Sequence, residues 1–372
     1  MSDHLASNAP QGGRTGNAAG RRSLFPWGAL FRRIAPAGLF VLVAPTLALA
    51  QSATYFDRNN NVSVLERSRP DYQALGINVA GFQVYPSLTV APQYNDNIFA
   101  TPHAVGDLIT VLTPTLEVNS NWSRDAFNLT ASATSDFYAT HSRQDTTSYQ
   151  LTGSGRLDIL TQSNVTAGFT VGSFSIPRSA ENTFGDTITP IQYGSFGANL
   201  GALQTLNRVQ FTEGFNYVRT QYQNNTEING EPVLLDEQDN SQYSVSGQAN
   251  YAISPAIAVF VSATGNDRVY DVLTPLNRDS SGFETTVGVN FDITRLVRGQ
   301  VQVGYLAQYY ASTSFHTVSG PAFHAQVEYF TSGLDTITLH LDRSVVDAVD
   351  PNAVSFLQSQ LGLQLDHELL RN

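Results

Sequence analysis

The feature that most constrains this chain is strict alternation of apolar and polar residues over long segments. From Phe127 to Phe137 the odd positions are almost all apolar or small, and the even ones are Asn128, Thr130, Ser132, Thr134 and Asp136. The scheme recurs over Tyr149–Ile159, Tyr243–Tyr251 and Phe283–Phe291. Side chains alternate faces along a strand, so each segment has one apolar face and one wet face. A soluble sandwich alternates too. Its strands are commonly about 5–6 residues, whereas a tilted strand crossing a bilayer needs about 9–11. Length places these segments in the spanning class.

The links between segments carry the same message. Short ones fall at Ser123–Asp125, Thr161–Ser163, Gln204–Asn207, Ile253–Pro255, Thr294–Val297 and Thr331–Leu334. Between them lie longer polar links near 99–106, 139–145, 177–189, 223–240, 271–282, 311–317 and 347–353. Outer-membrane barrels have tight periplasmic turns and longer extracellular loops, which is this pattern. The expectation is an all-β, antiparallel up-and-down transmembrane barrel over residues 81–372, with about fourteen strands. Aromatics toward strand ends, among them Tyr94, Trp122, Tyr149, Tyr217, Tyr251, Tyr305 and Tyr329, suit girdles at the two interfaces.

Composition agrees. Charged residues make up 14% of the chain, against roughly 25% in soluble proteins, while hydrophobic residues reach 41%. No stretch of the body is apolar for the roughly 20 residues a spanning helix needs. The absence of cysteine removes disulfides, thiolate metal sites and cysteine nucleophiles. The net charge is −11, and the basic residues Arg14, Arg21, Arg22, Arg32 and Arg33 fall in the first fifty positions, so the rest is more acidic still. With no basic stripe to neutralise phosphates, a nucleic-acid partner is not expected.

Residues 1–50 read as a signal peptide: Arg32-Arg33, a short apolar run from Ile34 to Leu49, and the small-x-small pattern Ala48-Leu49-Ala50 predict cleavage between Ala50 and Gln51. Arg21-Arg22 has a twin-arginine look, but that route carries folded cargo, and a barrel with an apolar exterior cannot fold before reaching a membrane. Residues 51–80 are polar and irregular, and read as a periplasmic lead-in segment where periplasmic export proteins could dock. At the other end, Phe356–Asp366 reads as a strand and His367–Asn372 as another periplasmic turn, without the terminal aromatic residue read by the barrel-assembly machinery. This predicts a missing final hairpin, with sixteen strands in a complete chain.

The even-odd rule sends a set of charges to the lumen: Glu117, Asp136, Arg156, Asp158, Glu284, Asp292, Glu328 and Asp342, with His324 and His340 beside them. Such charges tune selectivity, and this set predicts a weak cation preference. They equally suit solvated or cross-strand-paired groups. No histidine has a serine or acid at a spacing that suggests a nucleophile and base, so no enzyme activity is expected. His324 with Glu328 and His340 with Asp342 share faces as ordinary polar lumen residues. Asp236-Glu237-Gln238-Asp239 in the longest loop is more simply a solvated acidic loop than a cation site. No phosphate cradle and no cofactor site is indicated.

Gly81-Phe82-Gln83-Val84-Tyr85-Pro86-Ser87-Leu88, then Tyr94-Asn95-Asp96-Asn97-Ile98-Phe99-Ala100, resembles the opening of the outer-membrane β-barrel porins of Gram-negative bacteria. Asn121-Trp122-Ser123-Arg124, Val303-Gly304-Tyr305 and Leu365-Asp366-His367-Glu368-Leu369-Leu370-Arg371-Asn372 match as well, so the likeness covers most of residues 65–372. It implies an outer-membrane location, with the lipid bilayer and the barrel-assembly machinery as partners. The function it suggests is a porin-like channel for small polar solutes or glycans. Members of the family are often linked to exopolysaccharide or capsule loci, which makes a barrel of a secretion apparatus the alternative. A plugged structural or adhesive barrel is the weaker one.

Overall fold

A computed structural model describes residues 62–64, 66–67, 74–160, 162–179, 187–272, 277–294, 296–347 and 355–369. The signal segment 1–50, with its Ala50–Gln51 junction, lies outside them.

The strands, in chain order, are β1 (Ile77–Val79), β2 (Phe82–Asn95), β3 (Asp107–Ser120), β4 (Ala126–Tyr138), β5 (Thr146–Leu160), β6 (Ser163–Ile176), β7 (Ile191–Leu206), β8 (Val209–Tyr222), β9 (Asn225–Thr226), β10 (Pro232–Val233), β11 (Asn240–Ser254), β12 (Ile257–Tyr270), β13 (Ser280–Ile293), β14 (Val297–Tyr310), β15 (Val318–Tyr329), β16 (Asp335–Asp347) and β17 (Ser355–His367). All except β9 and β10, which form a hairpin within a loop, join one sheet in which every strand pairs antiparallel with its sequence neighbour. This is the up-and-down topology of a transmembrane barrel. Among the described residues no ladder joins β17 to β2.

Fourteen of these strands are long, the number the alternation predicts. They run 12 to 16 residues, more than the bilayer alone demands. Antiparallel pairing continues above the membrane because the ladder satisfies backbone groups in water as well as in lipid. The link expected at Gln204–Asn207 is correspondingly tighter: β7 continues to Leu206, and only Asn207 and Arg208 make the turn, with Asn207 at φ 56°. The β1–β2 hairpin turns on Ala80 and Gly81, at φ 46° and 89°. Two positive φ values are what a type I′ turn requires, and glycine adopts one without steric cost.

Register fixes the faces. Phe169 lies opposite Ala198, Leu200 opposite Phe215, and Val287 opposite both Val261 and Val303. These belong to the outer face, where Leu157, Leu361 and Leu363 are 61%, 72% and 75% exposed. Such exposure suits lipid contact. The outer face ends in aromatic rings. Phe82, Trp122 and Phe127 cluster at the short-turn end, with centroids 5.5 and 6.3 Å apart. Tyr217 meets Tyr243 at 5.0 Å toward the long-loop end.

Glu213 breaks the rule at mid-span. Glu213 on β8 stands opposite Ala202 and Gly247, midway between the Val209–Tyr251 and Tyr217–Tyr243 rungs. A carboxyl group faces outward at mid-span. Asp267 and Arg219 share that face nearer the long loops, where Arg219 bonds Asp271 at 2.7 Å.

Candidate solute pathway

The opposite face is lined by amides and hydroxyls. Gln248 donates to Asn250 at 2.7 Å, Gln210 to Thr205 at 3.0 Å, and Ser262, Thr286 and Gln302 form a chain with links of 2.6 and 3.0 Å. On the C-terminal strands Gln300, Gln302 and Gln326 continue along β14 and β15, and Gln358, Gln360 and Gln364 along β17. These groups share the polar face because each holds the same parity in an unslipped register.

All eight charges expected in the lumen lie on this face, but not as a uniform ring. Glu117 accepts from Asn119 at 2.6 Å. Asp136 accepts from the Thr146 hydroxyl at 3.1 Å. Arg156 and Asp158 pair at 3.0 Å on their own strand. Asp292 stands opposite Arg298 in register, and Arg298 binds Glu328. The densest group is around His324. Its Nε2 lies 2.7 Å from Glu284 Oε1 and its Nδ1 2.6 Å from Asp342 Oδ1. Sequence spacing suggested Glu328 as the neighbour of His324 and Asp342 as that of His340. The register instead brings Glu284 and Asp342 to His324 from two other strands, because partnership in a sheet crosses strands as readily as it follows one. With both ring nitrogens engaged by carboxylates, His324 has no nitrogen left to serve as base for a hydroxyl nucleophile.

Two segments enter the pathway from its ends. At the short-turn end the lead-in residues sit against the inner wall: the Val64 amide donates to Thr336 Oγ1 at 3.2 Å, Arg67 pairs with Glu368, and Glu66 pairs with Arg298. Ser63 and Val64 are buried there. Within the 51–80 lead-in, where periplasmic export proteins are expected to dock, the described residues at 62–64 and 66–67 contact the barrel wall. The sequence signal that could have suggested it is their opposite charges, Glu66 and Arg67, but no local rule names the partners.

At the long-loop end, residues 223–239 fold inward. Val233 and Leu235 pack on Ile191 with Ile176 and Tyr222, and Leu235 is only 1% exposed. Asn224 Oδ1 accepts from the Leu235 and Asp236 amides at 2.7 and 3.1 Å, and Arg278 donates to the buried Gln238 at 2.9 Å. Asp236–Gln238 form a 3-10 turn in which Asp236 and Glu237 are exposed to solvent, as expected of an acidic loop, while Gln238 is buried and Asp239 half-buried. Asp239 accepts from the Tyr222 amide at 2.7 Å. Burial raises its pKa above the usual carboxylate value, against that hydrogen bond and the pull of Arg219.

A spanning antiparallel sheet with a polar inner face matches what the family comparison finds. The profile of the family described as "Putative beta-barrel porin 2" matches residues 69–372. The chain belongs to that family. The porin-family chain is also similar to several solved structures. It shares 8% identity with the copper transporter OprC over 78% of this chain and 56% of that one, at a TM-score of 0.46. With the siderophore receptor PiuA from Acinetobacter baumannii it shares 10% over 78% and 58%, at 0.43. With the NanC porin it shares 12% over 65% and 98%, at 0.33. The chain thus spans little more than half of the first two. No curated protein matches it. Membership of the family places the chain in the outer membrane.

Proposed function

We propose that this porin-family barrel is a narrow channel for small polar solutes, sugars among them, with a weak preference for cations. The observation that carries the reading is the composition of the inner wall: paired amides and hydroxyls, with acidic groups outnumbering basic ones and concentrated around His324. Amide and hydroxyl side chains both donate and accept, so they can replace water around a sugar hydroxyl. The carboxylates of Glu284 and Asp342 bias the passing ion toward cations. The lead-in and the 223–239 loop reduce the width at both ends, which favours small solutes. His324, its nitrogens both engaged, acts as a fixed electrostatic element rather than in catalysis.

Liposome swelling tests the reading. Vesicles containing the full chain should swell in monosaccharides faster than in oligosaccharides, and reversal potentials in a salt gradient should show cation preference. Anion preference with no sugar flux would overturn it.

Passage of a longer glycan is a second reading, favoured by Gln300, Gln302, Gln326, Gln358, Gln360 and Gln364 on the same face of β14, β15 and β17. Such a wall could pass hydroxyls from one amide to the next, as a secretion barrel for exopolysaccharide would require. Block of single-channel current by neutral oligosaccharides, with residence time rising with chain length, is the outcome that distinguishes it.

A further inference from the structure

Among the described strands, the longest stretch without pairing between sheet neighbours lies between β15 and β16. β14 pairs with β15 as far as Gln308↔Val318, and β16 with β17 as far as Asp347↔Ser355. Between β15 and β16 there are only six rungs, ending at His324↔Asp342. Above that rung each strand keeps its outer neighbour and loses the other. The next rungs would join Phe323 to Arg343 and Ala322 to Ser344; they are absent.

Pro321 explains the start of the break, since a proline has no N–H and sits in sheets at edges or interruptions. It does not explain the extent. Pro114 interrupts the β3–β4 ladder in the same way, and there pairing resumes at Thr115↔Ser132 after two positions. Beyond Pro321 it never resumes, although β15 runs on to Val318. The break is also at membrane depth: Phe323 is level with Val303, and Pro321 with the outward Tyr305 of the aromatic girdle. Unpaired backbone groups facing hydrocarbon cost several kcal/mol each, so strands diverge there only where something else lines the gap.

What lines it is one cation among apolar groups. The Arg343 guanidinium lies 5.4 Å from the centre of the Phe323 ring. A Cβ on Gly320 would meet Leu357 Cδ1 at 3.5 Å and Arg343 Nη2 at 3.8 Å, so these two side chains reach across to the β15 backbone. The Arg343 Nε is buried and has no hydrogen-bond partner, and no carboxylate among the described side chains pairs with it. The nearest acid on its own strand, Asp342, is turned to His324 on the inner face.

We propose that the split between β15 and β16 is a lateral binding site for an anionic amphiphile. Its head group is held by Arg343, and its acyl chain lies on Phe323, Val345 and Leu357. A guanidinium stacked on an aromatic ring and flanked by apolar residues offers donors to carboxylate or phosphate oxygens and a surface for a hydrocarbon tail. The acidic cluster on the inner side repels the same head group, so it stays at the lip rather than passing into the lumen.

The test uses the full chain in phosphatidylcholine nanodiscs, titrated with a fluorescent fatty acid and competed with oleate, oleyl alcohol or phosphatidylglycerol. Oleate is expected to displace the probe and oleyl alcohol is not. Arg343→Gln should weaken probe binding about tenfold or more, while Arg343→Lys, which keeps the charge, retains most of it. Heat-modified gel mobility confirms that each variant is folded. Competition by phosphatidylglycerol at matched affinity would assign the site to lipid phosphate; its failure would assign it to a free carboxylate. Equal binding by wild type and folded Arg343→Gln, or equal competition by oleyl alcohol and oleate, would overturn the proposal.

Discussion

Arg298, on the inner face of β14, binds Glu66 of the lead-in segment, 232 positions earlier in the sequence. The same guanidinium binds Glu328 on the neighbouring strand and lies 5.4 Å from the Phe330 ring. Arg298 thus helps hold the amino-terminal segment to the wall of the C-terminal strands, together with the Val64–Thr336 and Arg67–Glu368 contacts. Arg298→Gln should loosen the described lead-in residues around Glu66 and leave Glu328 largely buried without its cation. The expected cost is about 1–3 kcal/mol in unfolding from detergent, and single-channel conductance should rise. Unchanged conductance would mean that the lead-in does not narrow the pathway.

The contact also predicts a pH dependence. Burial pushes the Glu66 carboxyl up, but hydrogen bonding and charge attraction from Arg298, aided by Ser63, outweigh it and hold the group below its ordinary value of 4.5. A lowered carboxylate contributes stability that is fully present above the unfolded value and lost as pH falls through the folded one. Conductance should therefore be flat above the ordinary value of 4.5 and rise only at more acidic pH, as the lead-in loosens. In Arg298→Gln that acid-induced rise should be absent.

Selectivity should follow the His324 cluster. Replacing Glu284 with Gln and Asp342 with Asn leaves the shape of the site and removes both carboxylates. Reversal potentials in the double variant should shift away from cation preference. His324→Gln should shift them the other way, because the carboxylates then lose their cationic partner.

Leu235 anchors the long loop at the opposite mouth. Leu235→Ala deletes an almost wholly buried side chain and should cost the loop about 2–5 kcal/mol of local stability. Cleavage between residues 224 and 238 by an added protease should then become rapid while the barrel remains intact on gels.

Glu213 should behave oppositely to a buried core residue. If lipid covers the face shared with Ala202 and Gly247, Glu213→Leu removes a carboxyl from mid-span and should stabilise the barrel by about 1–2 kcal/mol. A loss of stability on that substitution would show that another protein surface meets Glu213 there.

The alternation in the sequence was enough to set the strands and their faces. Asn128 and Thr130 had to share one side and Leu129 and Ala131 the other, since side-chain direction in a strand is a local property with period two. Short and long links were equally legible, because turn chemistry and loop length are read within a few residues. Glu213 could have been found the same way: it stands on the apolar parity of β8 beside Phe211 and Phe215. The partners of His324 could not, because they lie 40 and 18 positions away on other strands.

By itself, then, the sequence determined an outer-membrane barrel and which charges share the polar face of its strands. Only the tertiary structure decided that the lead-in binds Arg298, that the 223–239 loop turns inward onto Ile191, and that β15 and β16 part above His324. Those features depend on register between distant strands and on where loops return, and such long-range pairings leave no periodic trace in the residues that make them.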